Sequence, residues 1–189
     1  MNTKKRRPGR TSSRNQMLDA AAALVAAHGV PNLTLEAVAT AANVTKGGLV
    51  YHFKTRDELL AALIERMVKE MAFHDQEGET PAPAGESAKT MLFNLLDTTF
   101  NMSVAQRALL TNLLAAAASY PHLIGPVQAF YARSYEAVAR SSTDTGQAML
   151  LLAALDGISL VELLGLHQFT TEQLQAMRTA VENAIRALP

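Results

Sequence analysis

The stretch VTKGGLVYHFKTR, residues 44–56, sets two adjacent glycines between a lysine and a Tyr-His pair, with two further cations just beyond. A glycine inside a helix costs about 1 kcal/mol relative to alanine, so helix strength does not account for Gly47 and Gly48. Without side chains, that backbone can approach a bulky anion closely, and the amides at a helix start attract phosphate. Lys46 suits a guanine edge or a phosphate. Tyr51 and His52 can donate to phosphate oxygens, while Lys54 and Arg56 extend a cationic rim. The chemistry is that of a polyanion reader. In the competing reading Tyr51, His52 and Phe53 form a packed helix end, and for Phe53 burial is the expected role.

The elements that must position these residues follow from helix periodicity, with no convincing strand alternation. Leu18, Ala21, Ala22 and Val25 repeat on one face, Ser13 and Gln16 have capping-box spacing, and Gly29 suits a left-handed cap, which predicts a first helix over 14–28. Pro31 breaks the chain. Thr34 caps a second helix over 35–41, with Leu35, Val38, Ala39 and Ala42 facing inward. Asn43 tolerates the left-handed conformation and can swing the chain directly into a third helix, capped by Thr45, with Val44 and Leu49 at the positions of a hydrophobic staple. Thr55 and Glu58 open a fourth helix running through Met71. Two short helices joined by a tight turn, the second flanked by cations, form the helix-turn-helix arrangement used to read the major groove.

The net charge of zero conceals an asymmetry: residues 1–58 hold nine Lys/Arg against four Asp/Glu, and the remainder eight against thirteen. The first third is therefore suited to a polyanion, its rival reading being a basic tail that only solubilises. Lys4, Lys5, Arg6, Arg7 and Arg10 suit an arm for sequence-independent attraction or minor-groove contact. The absence of cysteine excludes disulfides and thiolate metal sites. The five histidines, 28, 52, 74, 122 and 167, show no metal-ligand spacing, and no Gly-rich phosphate loop or His-Glu-x-x-His pattern is present. No enzyme activity, cofactor or metal is expected. The basic N-terminus lacks the apolar run of a secretory signal, so the cytoplasm is the expected location.

The remainder reads as further helices near 87–101, 104–118, 121–140, 144–166 and 170–187, after a Pro- and Gly-containing loop at Glu77–Ser87. AMLLLAALDGISLVELLGL, residues 148–166, is apolar nearly all round. It barely reaches the length of about 20 residues needed to span a bilayer, and Asp156 and Glu162 interrupt it, so it is read as a helix with partners on two sides rather than a membrane span. On the helix expected near 87–101, Phe93, Asp97 and Phe100 share one face, a carboxylate between two rings that would suit a lipophilic cation. Asp97 at the wet edge of an ordinary amphipathic stripe is the competing reading. Met102, Tyr120 and Tyr131 are further effector candidates, with core filling as the alternative for methionine.

The segment LTLEAVATAANVTKGGLVYHFKTRDELLAAL, Leu33–Leu63, together with the basic arm and first helix, resembles the TetR family of bacterial transcriptional regulators. The resemblance covers the first third closely and the rest only in architecture. It implies an all-α chain of about nine helices: a basic arm at 1–12, a helix-turn-helix domain at 13–58, and an effector-binding and dimerisation domain at 59–189. By position, Thr34 and Glu36 match residues that approach phosphate or base edges, Thr45, Lys46, Gly47 and Gly48 match the start of the recognition helix, and Tyr51, His52 and Arg56 match backbone contacts. Val50 departs from the tyrosine common in the family, and its methyls suit a thymine.

The resemblance further implies that the helix at 148–166 and the last helix pair with their symmetry mates in a four-helix bundle. The candidate interface is Leu152, Leu155, Gly157, Leu160, Leu164, Met177 and Val181, and Gly157 and Gly165 would permit close helix approach or ordinary packing in the chain's own core. The expected function is a repressor that binds a palindromic DNA operator as a homodimer and is released by a small, largely apolar effector. The alternative is a non-catalytic helical protein-interaction module with nonspecific nucleic-acid affinity.

Overall fold

Side-chain caps decide where most of the helices begin. The computed structural model describes residues 13–73 and 88–189. The basic arm, His74 and the expected loop at 77–87 lie outside them. In chain order the α-helices are α1 (Ser13–His28), α2 (Leu35–Ala41), α3 (Lys46–His52), α4 (Arg56–Phe73), α5 (Ala88–Asn101), α6 (Val104–Ser119), α7 (Gly125–Ser141), α8 (Thr145–Leu163) and α9 (Thr171–Ala187). Single 3₁₀ turns at Val30–Asn32 and Pro121–Leu123 punctuate them. Nine helices and no strand make up the described residues, so the chain is all-α. It divides into two compact units, one ending at Leu63 and the other beginning at Ile64.

In the first unit, Leu18, Ala21 and Val25 of α1, Val38 of α2, Leu49 of α3 and Phe53 are buried together with Leu59 and Leu60 of α4. The turn between α2 and α3 is fixed by backbone bonds. Asn43 sits at φ 52°, its N–H donates to Thr40 O at 3.1 Å, and the Val44 N–H donates to Ala39 O at 3.0 Å. This is the 6→1, 5→2 pattern of a Schellman stop, with asparagine taking the left-handed position that glycine usually fills. Thr34 and Thr45 cap α2 and α3 by accepting from Ala37 N and Gly48 N, each at 3.1 Å.

Three local expectations are corrected. Ser13 is itself the first residue of α1, and Gln16 completes no capping box there; its Nε2 instead donates to Ala42 O at 3.1 Å, tying α1 to the end of α2. Gly29 has φ 75° but ψ 166°, so it turns the chain outside the left-handed helical region. Thr55 does accept from Glu58 N, but the Glu58 carboxylate reaches one residue further back, to Lys54 N at 2.8 Å.

In the second unit α8 packs against α5, α6, α7 and α9. Its buried Ala148, Leu151, Leu152 and Leu155 join Leu92 and Leu96 of α5, Val138 of α7 and Val181 and Ile185 of α9 in one core. α8 is long and apolar enough to cross a membrane by length and composition alone, yet it supplies the centre of this core. The helix expected over 121–140 is split, because Pro126 supplies no amide to an incoming turn and restarts the chain as α7 at Gly125. α8 stops short of the expected 166. Gly165 adopts φ 63° in a second Schellman stop, its N–H bonded to Glu162 O and that of Leu166 to Val161 O. Gly165 is thus a helix stop rather than a close-approach site.

Candidate functional site

The α2–turn–α3 arrangement turns its apolar residues inward and leaves a polar and cationic outer face. Leu49 is fully buried and Val44 half-buried, while Lys46, Gly47, Val50, Tyr51 and His52 are exposed. Tyr51 is the extreme case, 84% exposed, which a phenol retained for packing would not be. Its ring meets that of His52 edge-on at 5.2 Å. Phe53, by contrast, is a core residue, and the Arg14 guanidinium lies over its ring at 5.1 Å.

A β-carbon built on Gly47 would meet nothing within 4 Å, so the fold itself places no demand for glycine there. One on Gly48 would come to 3.2 Å from Thr45 Oγ1, the oxygen that caps the helix, and so has a local reason to be absent. Thr34 and Thr45 carry their hydroxyls at the two helix starts. Glu36, in the first turn of α2, forms an exposed ion pair with Lys46 at the start of α3. That hydrogen bond and charge hold the Glu36 carboxyl below the ordinary carboxylate range. Lys54 is exposed beyond α3.

Arg56, expected on the cationic rim, is differently employed. Its Nε donates to Leu33 O at 2.8 Å and its Nη2 to Val30 O at 2.7 Å, so the half-buried guanidinium holds the connection between α1 and α2 against the start of α4. The anchoring role of Arg56 and the place of Arg14 over Phe53 were not legible in sequence, where arginines near a polyanion reader look alike, and Gln16 was read there only as a capping-box partner of Ser13.

The structure disperses the effector candidates of the second unit. Asp97 is exposed on α5, accepts from Asn101 and faces Arg178 Nη2 of α9 at 3.8 Å; the face it shares with Phe93 and Phe100 is therefore split between solvent and core. Phe93 packs on the core under the Arg186 guanidinium, 5.4 Å from its ring. Phe100 and Met102 are half-buried, and Tyr120 is exposed at the end of α6, edge-on to His122. Tyr131 on α7 is half-buried, its ring edge-on to Phe130 at 5.6 Å.

A carboxylate that the sequence reading used only against a membrane span emerges here. Asp156 of α8 is half-buried and accepts from Tyr135 Oη of α7 at 3.0 Å. Burial raises its pKa, only partly offset by that bond. The Tyr135 hydroxyl is pushed up to about 12 by burial and by the Asp156 charge, and Tyr131 is raised by the same two causes. Elsewhere in this unit Glu162 has a cation, Arg107 Nη1 at 2.6 Å, and Ser159 Oγ donates to buried Thr99 at 3.1 Å. No group of three His, Asp or Glu that could hold a metal occurs among the described residues.

Of the dimer candidates, Leu152, Leu155 and Val181 are corrected: all three are buried in the chain's own core. Leu160 and Leu164 are 37% and 51% exposed, Gly157 is exposed, and Met177 is half-buried. Leu150, at 68% exposed, lies on the same stripe of α8 and was missed.

The sequence matches the family described as bacterial regulatory proteins, tetR family, over residues 17–63, and the tetracyclin repressor-like C-terminal domain over residues 92–186. The chain belongs to the TetR family of bacterial regulators, which are transcription factors rather than enzymes. It is 38% identical over 52 residues to an uncharacterized HTH-type transcriptional regulator, TtgW, of Pseudomonas putida, a match spanning 28% of this chain and 39% of that protein. Among solved structures it is similar to a member of the TetR family from Streptomyces coelicolor A3, with 26% identity, 95% and 99% of the two chains covered and a TM-score of 0.65. A further similarity is to the multidrug binding protein EbrR complexed with proflavin, with 25% identity, 90% and 99% coverage and a TM-score of 0.58.

Proposed function

We propose that this chain is a cytoplasmic repressor that binds a palindromic operator as a homodimer and releases it when a small, largely apolar effector occupies the second unit. The observation that carries the DNA reading is the outer face of α2 and α3: a glycine the fold does not require, a cation at the helix start and a tyrosine 84% exposed. Thr34, Glu36, Thr45, Lys46, Gly48 and Val50 complete the proposed reading surface, with His52 and Lys54 toward the phosphates. Phosphates would be held by amides and cations, and bases read by Lys46, Glu36 and Val50.

Dimerisation is supported by the stripe Leu150, Gly157 and Leu160 on α8, continued by its C-cap residue Leu164, which a lone chain leaves to solvent, and by the small residues Ala176 and Ala180 exposed on α9. Two-fold pairing would present two α3 helices to half-sites about one helical turn, or a multiple of it, apart. Effector binding would favour a conformation with wrongly spaced reading heads, with α4, which contributes to both units, as the lever. EbrR binds proflavin, a flat organic cation, and that supports an effector of similar character.

The test is selection of bound sequences from random duplex DNA at moderate salt, with a Lys46→Ala, Tyr51→Ala double variant as control. A palindrome recovered by the natural protein and lost by the variant is the expected result. Only salt-sensitive retention without enrichment would instead favour an interaction module with nonspecific nucleic-acid affinity.

A further inference from the structure

We propose that Asp156, together with Tyr131 and Tyr135, forms a binding site for a flat aromatic cation in the second unit, with the carboxylate as counter-charge and the phenol rings as walls. This deepens the effector reading above and rests on it.

The carboxylate lies midway along α8, where the surrounding run is otherwise apolar. Its one hydrogen bond among those described comes from a neutral group, Tyr135 Oη. No ion pair reaches it among the described residues, whereas Glu162, six residues further along the chain, has Arg107, and the exposed Glu136 and half-buried Glu182 have Arg140 and Arg186. A half-buried carboxylate without a cation is costly to keep, and burial in place of solvent makes the charged form unfavourable. A ligand that brings the positive charge removes that cost.

The surroundings define what kind of cation. Tyr131 and Tyr135 are one turn apart on α7 and so lie on the same face, and the Asp156 charge is felt at both hydroxyls. Phe130 stands edge-on to Tyr131 and adds a third ring. Aromatic faces attract a positive charge most strongly where water is excluded, and a delocalised cation is the least expensive to desolvate there. A compact, strongly hydrated ammonium is a poorer match. Asp97, the carboxylate that spacing alone pointed to, faces Arg178 and is exposed, so it is already compensated.

The experiment titrates proflavin and ethidium, without DNA, against the full-length protein and its variants, followed by dye fluorescence polarisation, with the neutral dye Nile red as the uncharged comparison. Asn at 156 keeps an oxygen for the Tyr135 hydroxyl, so Asp156→Asn removes charge while preserving the α7–α8 link. The expected result is proflavin affinity at least tenfold weaker in Asp156→Asn, unchanged within twofold in Asp97→Asn, and Nile red affinity unchanged in both. Equal proflavin affinity in Asp156→Asn and the natural protein, equal loss of both dyes, or no cation binding by the natural protein overturns the assignment. Operator binding, measured on the same preparations with the selected duplex, separates the two readings: if it survives while cation binding fails, only the cation site falls.

Discussion

Lys46 and Glu36, ten residues apart and on different helices, form an ion pair on the face that α2 and α3 share. The lysine proposed to meet DNA is therefore already held by a carboxylate, and its direction is set before any duplex arrives. Both groups are well exposed, so the pair contributes little to stability and its significance lies in orientation. Glu36→Gln removes a negative charge from the proposed DNA face and loosens Lys46. Affinity for unrelated duplexes should rise several-fold while discrimination at the base nearest Lys46 falls. Lys46→Ala should weaken binding to every duplex and lower the salt slope by about one, and it too should relax discrimination at that base. Competition binding across a salt series with single-base operator variants checks both.

Gly47 gives a prediction in which stability and affinity part company. The fold leaves space for a β-carbon there, so Gly47→Ala should be neutral or raise stability by up to about 1 kcal/mol. The same methyl would stand between the helix start and the duplex. Operator affinity should fall tenfold or more while the thermal midpoint stays level or rises, measured by circular dichroism alongside DNA titration.

Arg56→Lys tests an anchor against a phosphate contact. Lysine cannot span the two carbonyls that Nε and Nη2 reach together, and charged hydrogen bonds of this kind are worth about 1.5–3 kcal/mol each in favourable settings. The melting temperature without DNA should drop by several degrees, independently of salt. A change confined to DNA affinity, with an unaltered melt, would show that the arginine acts on phosphate instead.

The elevated pKa of Asp156 makes stability depend on pH in a defined direction. Its folded value lies above its unfolded one, so the folded protein holds this proton more firmly. The stabilisation from protonation is complete below the unfolded carboxylate range, about pH 4, and is lost as pH rises through the folded value. The titratable side chains facing it, Tyr131 and Tyr135, stay neutral throughout that window. Asp156→Asn should therefore melt higher than the natural protein at neutral pH, and the difference should shrink on acidification. Thermal melts across pH 4–8 without ligand provide the comparison.

For assembly, Leu160→Asp with Leu164→Asp should give a folded monomer at micromolar concentration by sedimentation, because both side chains are exposed on one chain. Leu155→Asp should not yield a soluble folded chain at all, since that residue is fully buried.

Helix ends were legible at Thr34, Thr45 and Asn43, which act as their chemistry predicts, though not at Ser13 or Gly29. Long-range choices were not. Nothing local distinguishes Arg56, which reaches back 23 and 26 residues to two carbonyls, from an arginine aimed at solvent. Nor does periodicity tell the inward leucines of α8 from the outward ones when both faces are apolar, which is why Leu155 was assigned outward and Leu150 overlooked. Asp97 and Asp156 differ in the same way. Spacing put the first between aromatic residues of its own helix, but the second acquires its tyrosines from α7, a relationship that only tertiary packing creates.

The anchor at Arg56 also bears on how this sequence can diverge. Its partners are main-chain oxygens, and every amino acid supplies one. The exposed Pro31 and Asn32 between them are therefore free to drift without loosening the grip, while position 56 has no comparable latitude. Descendants of this chain should keep the arginine long after the connection it holds has become unrecognisable.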